Sequence, residues 1–197
     1  MNIKQKITCS ITAVIAIITG GVTVSENYHE PVGNVVISGA PAGTLLVSPA
    51  ALSLIGNAES CRLAPYKCPA GLITNGIGNT HNVPNKPVNI EQVSKDWVLN
   101  IQQAERCLVA SAPDLPMTQG QIDAFTSFIF NTGCTRFRKN GDGSETRIYR
   151  KIKAGQFDAA CGELRYWVFG GGKKLNGLVK RRAAEMEMCR GRSQADI

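Results

Sequence analysis

The chain is best read first through what it lacks. None of its seven cysteines stands in a C-x-x-C pair, which argues against a zinc site, and neither metal nor cofactor is expected. It has no internal repeat, so repeat architectures do not apply. Its net charge of +7 comes without an RNA-binding signature or an aromatic stripe among the basic residues, so nucleic acid is not expected as a partner. Between Glu59 and Asp96 there is no aspartate. The one long uncharged run, residues 7–25, contains no leucine and ends without an Ala-x-Ala site.

What is present fits an exported protein. At 197 residues the chain is long enough for one domain and an N-terminal appendage. Spread cysteines (Cys9, Cys61, Cys68, Cys107, Cys134, Cys161 and Cys189) suggest disulfides, and disulfides suggest an oxidising compartment. Their odd number leaves one thiol over. The positive charge, concentrated in the last third, fits an anionic partner such as a lipid surface or a cell wall.

Lys4 and Lys6 precede the uncharged run and favour a cytoplasmic N-terminus. As a helix the run would reach roughly 28 Å, just enough for a bilayer core. Its threonines, serine and paired glycines make residence in lipid marginal. It is read as an uncleaved, weak anchor, with a cleaved signal peptide as the alternative. The expected division is therefore 1–25 anchor, 26–47 linker, with a short strand at 35–37, and 48–197 folded domain.

Ser48-Pro49 starts a short helix, with serine as N-cap and proline at the first position. This helix delivers Glu59 just past its end. Residues 72–74 and Ile77 read as hairpin strands turned at Asn75-Gly76. Helices are expected over 90–108, 119–131, 144–154, 157–168 and 178–189, from apolar spacings of three and four. The fold class is α+β: a small β-hairpin lobe, a larger helical lobe and a cleft between them.

Three separated motifs carry a family resemblance. Glu59, Cys68 and Thr74 stand in the order Glu-x8-Cys-x5-Thr, with G-L-I-T-N-G-I-G around the threonine. A-F-T-S-F-I-F-N-T-G occupies 124–133, and W-V-F-G-G-G-K-K-L-N-G-L-V-K-R-R-A-A-E occupies 167–185. Together they resemble the phage-type lysozymes of glycoside hydrolase family 24, over about 48–190. The resemblance implies a lysozyme-like fold and hydrolysis of the β-1,4 bond between N-acetylmuramic acid and N-acetylglucosamine in peptidoglycan, leading to host cell lysis. With the weak anchor, it is similar to the signal-anchor-release endolysins. That implies export by the Sec machinery, tethering in the host inner membrane facing the periplasm, and release into the periplasm as a monomer.

The resemblance places the general acid on Glu59, where burial against apolar neighbours would keep the carboxyl protonated. Cys68 stands where the family has aspartate, and Thr74 takes the place of the threonine that orients water or sugar. Ser60 replaces a glycine often found after the acid, and Asn79 takes a position often held by histidine, with no role expected. Asn131, Arg181 and Arg182 are candidate substrate contacts. A Cys61–Cys68 bridge would block the sulfur. After release Cys9 could attack that bridge, take Cys61 and liberate Cys68, as in similar members of the subgroup. The other four cysteines allow three pairings; Cys161–Cys189 with Cys107–Cys134 is expected. Two rivals stand beside this reading. One is a lytic transglycosylase, which needs only the acid; the other is an inactive wall-binding protein.

Overall fold

A computed structural model describes residues 8–21, 29–68, 71–114 and 116–191. Lys4, Lys6 and the end of the uncharged run at 22–25 lie outside the described residues.

Helix α1 (Ile11–Ile18) is capped by Ser10, whose hydroxyl accepts from the Ala13 amide. It spans about 12 Å at the usual rise. Val14, Ile15 and Ile18 are buried in the same core as Trp97 and Ile55. No helix among the described residues is long and apolar enough to cross a membrane. A run read as a spanning segment is here a short core helix, because its apolar side chains find protein surface to cover. Gly56 makes this possible: a Cβ there would lie 2.5 Å from a methyl of Ile11 and 3.3 Å from the Trp97 ring.

The stretch read as a linker is structured over 33–45. Strands β1 (Gly33–Ile37) and β2 (Ala40–Leu45) pair antiparallel, with Ser38 and Gly39 turning the hairpin at positive φ. Val35, Ile37 and Leu45 point inward while Val36 is exposed. Pro41 and Gly43 in β2 hide this alternation from a periodicity reading.

Helix α2 (Pro49–Asn57) starts as expected, with Ser48 accepting from the Ala51 amide. The hairpin after it differs from expectation. Strand β3 (Cys61–Lys67) pairs antiparallel with β4 (Ile73–Ile77), and the Cys68 amide donates to the Leu72 carbonyl between them. Pro65 falls in the register shift between Arg62 and Tyr66, where ladder donors are not required. Asn75-Gly76 lies inside β4. Asn75 and Asn79 exchange both backbone bonds at 2.9 and 3.0 Å, so a second reversal follows the hairpin.

Helices α3 (Ile90–Val109) and α4 (Gln119–Thr132) match expectation, the second with a reciprocal Thr118–Gln121 capping box. Next come α5 (Cys134–Arg138) and α6 (Arg147–Lys153). Helix α6 starts at Arg147 rather than Ser144 because Thr146 caps it, accepting from the Tyr149 amide. Helix α7 (Phe157–Glu163) passes into a 3-10 turn (Leu164–Tyr166). The glycine run then turns a two-residue hairpin, β5 (Phe169–Gly170) and β6 (Lys173–Lys174), before α8 (Asn176–Cys189). Phe125, Phe128 and Phe137 fill the helical core.

Disulfides Cys107–Cys134 and Cys161–Cys189 form as expected, and a third joins Cys9 to Cys61. Two buried carboxylates hold the junction between β2 and α2. Glu105 Oε1 accepts from the Leu46 and Val47 amides at 2.7 and 2.9 Å, and Asp123 accepts from the Ser48 amide at 2.8 Å. Burial pushes the Glu105 carboxyl up to about 7, against the pull of those amides, and also raises that of Asp123.

Candidate active site

Glu59 leaves the end of α2 with its amide bonded to the Gly56 carbonyl at 3.0 Å. Its side chain is 26% exposed. Oε1 accepts from Arg181 Nη1 at 3.1 Å. Oε2 lies over Gly78, 3.4 Å from where a Cβ would stand, and Gly78 has φ +69°. The left-handed backbone favours glycine there, and a Cβ would stand in ordinary contact with the carboxylate. The apolar pocket expected around Glu59 is thus replaced by an ion pair and a bare backbone turn.

Arg181 is fully employed. Nε donates to Glu185 Oε1 at 3.1 Å, and Nη2 donates to the Ser127 carbonyl at 3.1 Å. Arg182 is 1% exposed. It donates to Glu185 Oε2, to Asn131 Oδ1 and to the Trp167 carbonyl, and it stacks on Phe128. Burial pushes the Arg182 guanidinium down from its ordinary value, and Glu185 opposes that push. Arg181 and Arg182 are buried beside Glu59, and their guanidinium donors point at protein partners. Asn131 is exposed, and its Oδ1 accepts from Arg182, which ties it to this cluster.

Thr74 and Cys68 sit on the hairpin that leads to Gly78. Thr74 is buried in β4, and its hydroxyl donates to the Leu72 carbonyl at 3.2 Å. That leaves the oxygen able to accept from water or a sugar hydroxyl. Cys68 is half-buried just past β3, with its amide donating to the Leu72 carbonyl at 2.9 Å. It lies outside the three disulfides. Neighbouring Pro69 and Ala70 lie outside the described residues.

Gly78 also borders a cavity of about 220 Å³, lined by Thr80, His81, Asn100, Gln103 and Phe130 among others. Amides and a hydroxyl beside an aromatic ring suit a carbohydrate. The cavity is anchored by Asn79, for which sequence reading found no role. Its amide donates to Asn75 Oδ1 at 2.9 Å and accepts from Asn100 at 3.2 Å, tying the hairpin to α3. Glu185 and Ser127 were also missed. The spacing of Arg181, Arg182 and Glu185 on one helix was a usable signal; the contact with α4 was not. Among the described residues no group of acids, histidines and cysteines could hold a metal.

An acid at a cleft mouth between a β-hairpin and a helical lobe defines a lysozyme-like protein. Residues 56–185 match the phage lysozyme family, and the chain belongs to that family. It is 42% identical over 151 residues to the SAR-endolysin of Haemophilus phage HP1, covering 74% of this chain and 81% of that one. It is 39% identical over 153 residues to the SAR-endolysin of Escherichia phage P1, covering 75% and 83%. In three dimensions it superposes on the active form of the P1 phage endolysin Lyz with a TM-score of 0.73 and 34% identity. That superposition covers 94% of this chain and 96% of the other.

Proposed function

We propose that this protein is a signal-anchor-release endolysin that hydrolyses the β-1,4 bond between N-acetylmuramic acid and N-acetylglucosamine in peptidoglycan and lyses the host. Glu59 protonates the leaving glycosidic oxygen. Cys68, as thiolate, supplies the second group of the pair, acting on water or on the anomeric carbon. Thr74, its proton engaged by Leu72, orients the incoming hydroxyl through its oxygen. The cavity beside Gly78 takes the sugar. Related phage proteins described as SAR-endolysins support the reading.

Before release, the segment 1–25 is a weak anchor in the inner membrane, placed there by Sec export, with the rest of the chain in the periplasm. Cys61 is then bonded to Cys68. After release Cys9 attacks that bridge: its thiolate bonds to the Cys61 sulfur, the old bond breaks, and Cys68 departs as thiolate. One disulfide is consumed and one formed, so no external oxidant is needed. The observation that carries this reading is the Cys9–Cys61 bridge, the pairing such an exchange leaves behind.

Cys9→Ser is expected to be exported normally yet fail to lyse, while Cys68→Asp is expected to lyse whether or not Cys9 is present. Full lysis by Cys9→Ser would remove the exchange from the account. Product analysis on purified peptidoglycan should give reducing ends. Anhydro ends would replace hydrolysis with transglycosylation, and binding without cleavage would replace enzyme with wall-binding protein.

A further inference from the structure

Helix α8 carries a buried acid that no step above uses. Glu185 is wholly buried. Its Oε1 accepts from Ser127 Oγ at 2.7 Å and from Arg181 Nε at 3.1 Å, and its Oε2 accepts from Arg182. Arg181 in turn reaches Glu59. Glu59, Arg181, Glu185 and Arg182 thus form one cluster of two acids and two bases. Only Glu59 within it has substantial exposure.

We propose that Glu185 is a positioning residue for Glu59, acting through Arg181: it aims the guanidinium and cancels a positive charge that would otherwise hold Glu59 as a carboxylate. The inference rests on Glu59 being the general acid. Two arginines behind one acid would favour its ionised form, the wrong form for protonating a leaving group. Glu185 removes that excess while leaving Arg181 rigid, because Nε, Nη1 and Nη2 each keep a partner. Arg182 completes the balance from the far side, and Asn131, Ser127 and the Trp167 carbonyl satisfy the remaining donors and acceptors.

The test is the pH profile of kcat/KM on purified peptidoglycan, from about pH 5 to about pH 9, for the full-length released protein. Glu185→Gln should move the alkaline limb to lower pH by about one unit, the size expected for a unit charge at this range in a partly screened site. Glu185→Asp, which restores the charge, should return the limb even if overall activity stays lower. Arg182→Gln removes a positive charge and should move the limb the other way; it also serves if Glu185→Gln does not fold. A limb that stays put in Glu185→Gln and in Arg182→Gln, with activity scaled down evenly, would overturn the proposal and leave Glu185 a packing residue. Glu59→Gln separates the two levels. Cleavage by that variant would overturn the general-acid reading itself, whereas its inactivity combined with unmoved limbs would overturn only the role of Glu185.

Discussion

Glu105 offers the sharpest quantitative test of the fold. The carboxyl is pushed from 4.5 to about 7, chiefly by burial, with the charge of Asp123 adding to the rise and Arg106 opposing it. His29 acts on the same pair through Asp123. The folded chain therefore holds a proton that the unfolded chain gives up between those values. The favourable contribution is complete below about pH 4.5 and is lost as pH rises through about 7. At about 1.4 kcal/mol per tenfold, the full swing is roughly 3 kcal/mol. Both amides from 46–47 bind Oε1, so Oε2 is available for the proton. Glu105→Gln preserves that acceptor and removes the charge, but its new NH2 needs a partner, which costs about 1 kcal/mol. The variant should be about 2 kcal/mol more stable than the parent at about pH 8, and about 1 kcal/mol less stable at about pH 4.5. Urea unfolding at the two pH values measures both. An unchanged pH slope in Glu105→Gln would refute the reasoning, because the titrating group would then lie elsewhere.

The Cys9–Cys61 bridge spans 52 residues, for which chain entropy gives about 4 kcal/mol. Cys9→Ser should lower the unfolding free energy of the released protein by up to about that much, measured in denaturant without reductant. Gly56→Ala places a methyl into Ile11 and against Trp97. It should undock α1, seen as faster amide exchange over 11–18 with α3 and α4 unaffected. Gly78→Ala meets a φ of +69° beside the Glu59 carboxylate. It should cost about 1–2 kcal/mol in stability, with a larger loss in kcat than in KM.

Much of the helical lobe was legible because its signals are local. Ser48 announces a helix start through its own hydroxyl, and the apolar period of 90–108 needs no partner to be seen. Glu59 and Thr74 were singled out by the family resemblance rather than by periodicity. What escaped depends on distant partners. Residues 33–45 became strands because Gln102, Glu105, Gln119 and Asp123 on α3 and α4 capture the backbone at 44–48. Asn75-Gly76, a turn signal by itself, was absorbed into a strand once Cys61 and Ile77 paired. Arg181 and Arg182 were read as candidate substrate contacts, and the buried Glu185 bonded to both was not anticipated. Anionic partners were inferred from basic residues, two of which are internal.

The same ladder explains why a lock at Cys61 and Cys68 would be effective. Cys61 and Lys67 face Ile77 and Ile73, four steps apart on the partner strand. The ends of β3 are then separated by roughly 13 Å. A disulfide tolerates a Cα separation of at most about 7 Å. A Cys61–Cys68 bridge therefore cannot coexist with β3 as it stands; the strand must buckle, taking the pairing of Thr74 with Tyr66 and of Ile77 with Cys61 with it. Gly78, on which the Glu59 carboxylate rests, follows Ile77 directly. Such a bridge would consequently disable two things at once, the sulfur and the seat of the acid. The proposed exchange with Cys9 would reverse both. Thr8 pairs with Arg62, and the Cys9 amide donates to the Cys61 carbonyl at 3.2 Å, so residues 8–9 extend the sheet from the outer edge of β3. The Cys9–Cys61 bridge ties this segment to β3 while α1 covers the core behind it. Under the proposed exchange, chemical unlocking and refolding of the site would be one event, because the sulfur attacked belongs to the strand that must be rebuilt.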